Sequence, residues 1–75
     1  MEVYIPVVYN GKQEFLLGCY KHFYESQMAC LRDISEFGKI EDLEMYIYLW
    51  EVGEEYYKKV YDYDNKKEEW IEKKI

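Results

Sequence analysis

Positions 44 to 52, Glu-Met-Tyr-Ile-Tyr-Leu-Trp-Glu-Val, alternate in kind as well as in polarity. In an extended chain Met45, Ile47 and Leu49 point one way, and Tyr46, Tyr48 and Trp50 point the other. The pattern predicts a strand whose aliphatic side packs under a helix and whose aromatic side forms the second face of a sheet. Val3 to Tyr9 is rich in β-branched and aromatic residues, and Asn10-Gly11 follows it. This predicts a hairpin with a two-residue type I′ turn and a return strand over Phe15 to Tyr20. Such a turn sets Tyr9 against Lys12, Val7 against Glu14 and Ile5 against Leu16. Val3, Ile5, Val7 and Leu16 then share one face, and Tyr4, Val8, Phe15 and Leu17 the other. Pro6 has no N–H to donate, so its strand is expected to be an edge or to bulge there.

Residues 22 to 37 carry a helical period. Phe23, Cys30, Ile34 and Phe37 fall in a narrow wedge at about 100° per residue, Tyr24, Met28 and Leu31 widen the stripe, and Glu25, Arg32, Asp33 and Glu36 lie opposite. Gly38 stands where a helix favours a left-handed terminal residue. After a turn at Gly53-Glu54-Glu55, Tyr56 to Tyr63 reads as another strand with Tyr57, Tyr61 and Tyr63 on a common face. The tail from Lys66 to Ile75 has two readings. Asn65 and Glu68 have the spacing of a capping box, which favours a short C-terminal helix; a fold-back at Asp64-Asn65 makes the tail another strand. The expected class is α+β over a single domain, residues 1–75: an N-terminal β-hairpin, one amphipathic helix, then two or three further antiparallel strands, with the helix packed on a single sheet.

Seventy-five residues leave no room for a two-domain enzyme. A hydrophobic share of 49% and an aromatic share of 20% argue for a folded chain and against an acidic disordered tail. Sixteen acidic against ten basic residues give a net charge of −6, which disfavours nucleic acid and anionic membranes as partners. The surplus is unevenly spread. Residues 1 to 32 balance to zero and residues 56 to 75 to +1. Residues 33 to 55 hold Asp33, Glu36, Glu41, Asp42, Glu44, Glu51, Glu54 and Glu55 against Lys39 alone. Solubility is one explanation of that surplus. The other is a docking surface for a basic partner, on which carboxylates accelerate encounter.

Catalytic signatures are sparse. Cys19 and His22 have Cys-x-x-His spacing and Cys30 can approach in space, but no second closely spaced ligand pair completes a zinc site. A nucleophile and base at Cys19 and His22 have no reason to converge. Gly11, Gly18, Gly38 and Gly53 lie too far apart for a phosphate-cradling loop. No catalytic residue, metal or other cofactor is expected. Two cysteines make no disulfide framework, and Met1-Glu2 opens without the basic and apolar pattern of a signal peptide. No uncharged run approaches the ~18–20 residues that span a bilayer. A cytoplasmic protein is the expectation.

Ten tyrosines exceed what so small a core can bury with every hydroxyl satisfied. Tyr46, Tyr48 and Trp50 are therefore candidate contact residues beside the acids, either for a foreign partner or for a second copy of the chain in a homodimeric structural or regulatory module. In its richness in Glu, Lys and Tyr, as in Tyr56-Tyr57-Lys58-Lys59 and Lys66-Lys67-Glu68-Glu69-Trp70, the whole chain resembles the small acidic inhibitors that bacteriophages encode against host defence, of the anti-CRISPR and anti-restriction type. The resemblance is one of composition. It implies a stoichiometric inhibitor that blocks a basic surface of a nucleic-acid enzyme in the host cytoplasm. With both ends of the chain near neutrality, it implies partial mimicry of a nucleic acid or occlusion of a protein site.

Overall fold

The alternation around Ile47 builds the middle of a sheet. In the computed structural model, which describes residues 1–73 apart from the side chains of Asp33 and Ser35, Glu2–Tyr9 (β1) and Glu44–Glu51 (β3) pair antiparallel over their full eight-residue length. Glu14–Leu16 (β2) flanks β1, while Lys59–Asp64 (β4) and then Glu69–Lys73 (β5) extend the sheet beyond β3. The order is β2-β1-β3-β4-β5, antiparallel throughout. Phe23–Phe37 (α1) lies across one face, mainly against β1, and a short 3-10 turn at Ile40–Asp42 leads into β3. The fold is α+β with one helix on one five-stranded sheet among the described residues, as the sequence pattern predicts. No helix among them is long and apolar enough to cross a membrane.

The core lies between α1 and the sheet. Val8, Cys30, Leu43, Met45 and Ile47 are buried there, with Tyr4, Phe23, Ile34, Phe37, Tyr61, Tyr63 and Trp70 packed around them. Phe23 at the start of α1 meets three rings: Tyr4 at 5.6 Å, Tyr61 at 4.8 Å and Trp70 at 6.1 Å between centroids. Such tilted and edge-on contacts suit the ring quadrupoles and add to the area they bury. The helix begins at His22, whose backbone N–H donates to the Glu25 carboxylate at 3.3 Å, and buries Ser26, Ala29 and Cys30. Tyr24, Met28 and Leu31 are correspondingly exposed, which narrows the expected apolar stripe. The small residues Ser26 and Ala29 let the helix sit close to β1, and the Ser26 hydroxyl donates to the Tyr4 carbonyl at 3.3 Å.

Hairpin chemistry departs from the expected two-residue turn. Val7 faces Leu16 and Tyr9 faces Glu14, so four residues, 10 to 13, form the loop. A type I′ turn needs positive φ at both central residues. Gly11 has it (φ 92°), whereas Asn10 is not among the positive-φ residues. The Asn10 carboxamide oxygen accepts instead from the N–H groups of Lys12 and Gln13, both at 2.9 Å. This Asx-type turn replaces the positive φ at Asn10 and shifts the register by two residues. Because two is the side-chain period, the expected faces survive the shift.

Pro6 marks a bulge and not an edge. Its strand lies between β2 and β3. The Pro6 carbonyl accepts from Leu17 at 2.9 Å, so the position without an N–H faces β2. There three residues, Leu17, Gly18 and Cys19, stand opposite Ile5 and Pro6 before the chain pairs again at Tyr4 and Tyr20. The return strand therefore ends at Leu16 and does not continue to Tyr20. At the other end, the Asp64 carboxylate accepts from the N–H groups of Lys66 and Lys67 at 2.9 and 3.2 Å, which folds the tail back as β5. Glu68 takes a positive φ of 54° in that turn, so Asn65 and Glu68 form no helix cap. Of the tail, Lys74 and Ile75 lie outside the described residues.

Candidate protein-interaction face

Side-chain alternation puts the other half of each strand on the face away from α1, and no described element covers that face. Val3, Ile5 and Val7 of β1 pair there with Trp50, Tyr48 and Tyr46 of β3. Val3 and Val7 are buried beneath the rings, which remain half-buried themselves. The Tyr46 and Tyr48 rings lie 6.4 Å apart, and Tyr57, from the loop after β3, stacks on Tyr48 at 4.4 Å. The result is a strip of Tyr46, Tyr48, Tyr57 and Trp50 along the open face. Tyr57 was expected to share a face with Tyr61 and Tyr63. The regular strand starts only at Lys59, so the chain passes Tyr57 outside the alternation and its ring falls on the opposite side.

Six of the eight acids of residues 33 to 55 form two groups and not one patch. Eight residues of β3 at about 3.3 Å each hold Glu44 and Glu51 roughly 23 Å apart. Glu41, Asp42 and Glu44 gather at one end, where Glu41 and Glu44 line a shallow cavity of about 240 Å³ with Tyr46 and Asp62. Glu51, Glu54 and Glu55 gather at the other end. Glu36 is in the last turn of α1, in the helix layer, and Asp33 lies outside the described side chains. Tyr46, Tyr48 and Trp50 are thus brought between two acidic ends.

Two acids that segment charge balance hid also reach this face. Asp62 pairs across from Tyr46, and Glu14 lies beside Tyr9, whose other neighbour is Glu44. Asp62 was legible as an even position in the alternation Val60, Asp62, Asp64. Its position beside Tyr46 depends on strand order, which no local pattern encodes. Burial acts most on the tyrosines, and the neighbouring acids add to it. Burial, a hydrogen bond from the Tyr46 hydroxyl to Glu44 at 2.8 Å, and the negative charge of Glu44 and Asp62 raise the Tyr46 pKa above its ordinary value. Burial and the charge of Glu14 raise that of Tyr48. Both hydroxyls remain neutral donors near neutral pH, suited to hydrogen bonding and not to nucleophilic attack.

Four cationic groups of the sheet are already engaged. Lys58 pairs with Glu2, Lys59 with Glu72 at 3.2 Å, Lys73 with Asp62 at 2.6 Å, and the N-terminal ammonium with Glu51 at 3.1 Å. Glu14, Glu41, Asp42, Glu54 and Glu55 form no ion pair among the described residues. Cys19 is exposed at the bulge while Cys30 is in the core, and among the described residues no group of three His, Cys, Asp or Glu side chains is placed to hold a metal ion. Comparison with protein-family models, with characterised proteins and with solved structures finds no match to this chain.

Proposed function

We propose that this chain is a non-enzymatic binding protein of inhibitor type, phage-encoded, which lays its open sheet face on the basic, nucleic-acid-binding surface of a host enzyme such as a CRISPR or restriction nuclease. One observation carries the reading: an uncovered strip of Tyr46, Tyr48, Tyr57 and Trp50 is bracketed by carboxylates, of which Glu14, Glu41, Asp42, Glu54 and Glu55 form no ion pair among the described residues. Large rings offer contact area at little rotamer cost, and unpaired carboxylates steer a basic partner and then occupy its phosphate sites. A symmetric dimer that overlaid this strip on its copy would bring acidic ends against acidic ends, so the charge favours a foreign partner.

Titrating purified CRISPR and restriction nucleases with the protein tests the proposal. Cleavage by the target should fall in proportion to added protein until the two are equimolar, and the complex should weaken as salt rises. Replacing Glu41, Asp42 and Glu44 together by Lys should slow association at least tenfold at low salt. An unchanged association rate removes the steering role. Undiminished cleavage by both nuclease classes at excess protein overturns the inhibitor reading, and a stable dimer that loses Trp50 exposure on assembly replaces it with the homodimeric one.

A further inference from the structure

Within the open face one recess has a more particular chemistry. Ile5, Trp50, Tyr57, Glu54 and Glu55 line a notch of about 260 Å³. That is below the ~300–1,000 Å³ typical of small-molecule sites, and suits a single side chain. Its walls are fixed before anything binds. The Trp50 indole N–H donates to the Glu54 carbonyl at 2.9 Å, and Tyr57 is held by its stack on Tyr48. The Glu54 and Glu55 carboxylates form no ion pair among the described residues. Lys58, which lines the adjoining recess with Glu54 and Glu55, is ion-paired with Glu2.

We infer that this notch receives an arginine side chain of the partner. The inference rests on the docking reading above and specifies its anchor. A guanidinium is flat, stacks on indole and phenol faces, and forks two N–H groups onto a carboxylate. A lysine ammonium is compact and strongly hydrated, so it gains less from two ring walls. Pre-fixed walls reduce the ordering cost of capture.

The test follows the indole N–H resonances of the full chain by NMR during titration with blocked Gly-Arg-Gly, Gly-Lys-Gly and Gly-Gln-Gly peptides. The arginine peptide should shift Trp50 saturably and leave Trp70, on the helix side, unmoved. The lysine peptide should bind at least threefold more weakly and the glutamine peptide should have no effect. Replacing Glu54 and Glu55 by Gln should weaken the arginine response at least threefold in a chain whose other resonances are unchanged. An unmoved Trp50, an equal response to Gly-Gln-Gly, or an equal shift at Trp70 overturns the site, and equal responses to lysine and arginine overturn the assignment to arginine. If nucleases are inhibited while the peptide leaves Trp50 unmoved, the notch falls alone. If the peptide binds while no nuclease is inhibited, the docking reading falls alone.

Discussion

Ile47 and Tyr48 are adjacent in β3 and flanked by the same two strands, yet they meet different surroundings. Ile47, between Pro6 and Tyr61, is completely buried under the helix. Tyr48, between Ile5 and Val60, stays half-buried, and the rings it meets, Tyr46 and Tyr57, belong to its own layer. Both faces of the sheet carry aromatic rows. On the helix side Phe23 locks Tyr4, Tyr61 and Trp70 against a second layer. On the open side the row ends in carboxylates. Aromatic content therefore does not by itself distinguish core from contact surface; the presence of a covering layer and the neighbouring charge do.

The sharpest way to break the comparison is to truncate both neighbours. Ile47→Ala removes buried methyl groups from a packed interior and should cost about 2–5 kcal/mol. A domain of this length is stabilised by only about 4–11 kcal/mol in total, so the variant should be largely unfolded or have a much lower urea midpoint. Tyr48→Ala should cost no more than about 1–2 kcal/mol, because solvent already reaches the ring, while weakening partner binding more than tenfold. Urea denaturation followed by circular dichroism compares them directly. Equal costs would show that the open face is structural.

The faces of β3 were legible because Met45, Ile47 and Leu49 differ in kind from Tyr46, Tyr48 and Trp50, and a period of two needs no tertiary information. The helix was legible for the same reason at its own period. Its true centre lies at Ser26, Ala29 and Cys30; Cys30 was in the expected wedge, but a hydrophobicity pattern undervalues Ser26 and Ala29 because close approach, and not greasiness, selects small residues there. The binding face was half legible. Glu41, Asp42 and Glu44 were found, but charge summed along the chain merged two acidic ends that β3 holds apart and overlooked Asp62 and Glu14. Asn10-Gly11 misled because the Asn side chain can make the turn without a positive φ.

Alkaline pH probes both faces at once. Burial pushes the Cys30 thiol up from its ordinary 9.0 to about 12 on the helix side. Burial also raises Tyr61 on that side, and burial with nearby carboxylates raises Tyr46 and Tyr48 on the other. Each group holds its proton more tightly folded than unfolded. Between the two pKa values the folded state binds more protons, so stability must fall as pH rises. The contribution is complete below pH 9 and is lost progressively from there to about pH 12. Thermal midpoints should therefore decline across that window. Cys30→Ala should flatten the onset near pH 9, and Tyr46→Phe the part above pH 10. Midpoints that stay level from pH 8 to 11 would contradict these proton affinities.

The gentlest test perturbs neither face. Cys19 is exposed at the bulge beside Gly18, whereas Cys30 is sealed on the buried side of the helix with its thiol held protonated, and the thiolate is the form that reacts. A disulfide reagent at pH 8 should modify one thiol quickly in the folded protein and two after denaturation, and Cys19→Ser should abolish the fast phase. The slow phase then measures how often the helix layer lifts from the sheet, since Cys30 reacts only when that layer opens. Its rate should rise steeply in Ile47→Ala, insofar as that variant folds, and change little in Tyr48→Ala. If the two variants accelerate it equally, the helix layer draws as much of its stability from the open face as from the core, and the division between the two sides of β3 fails.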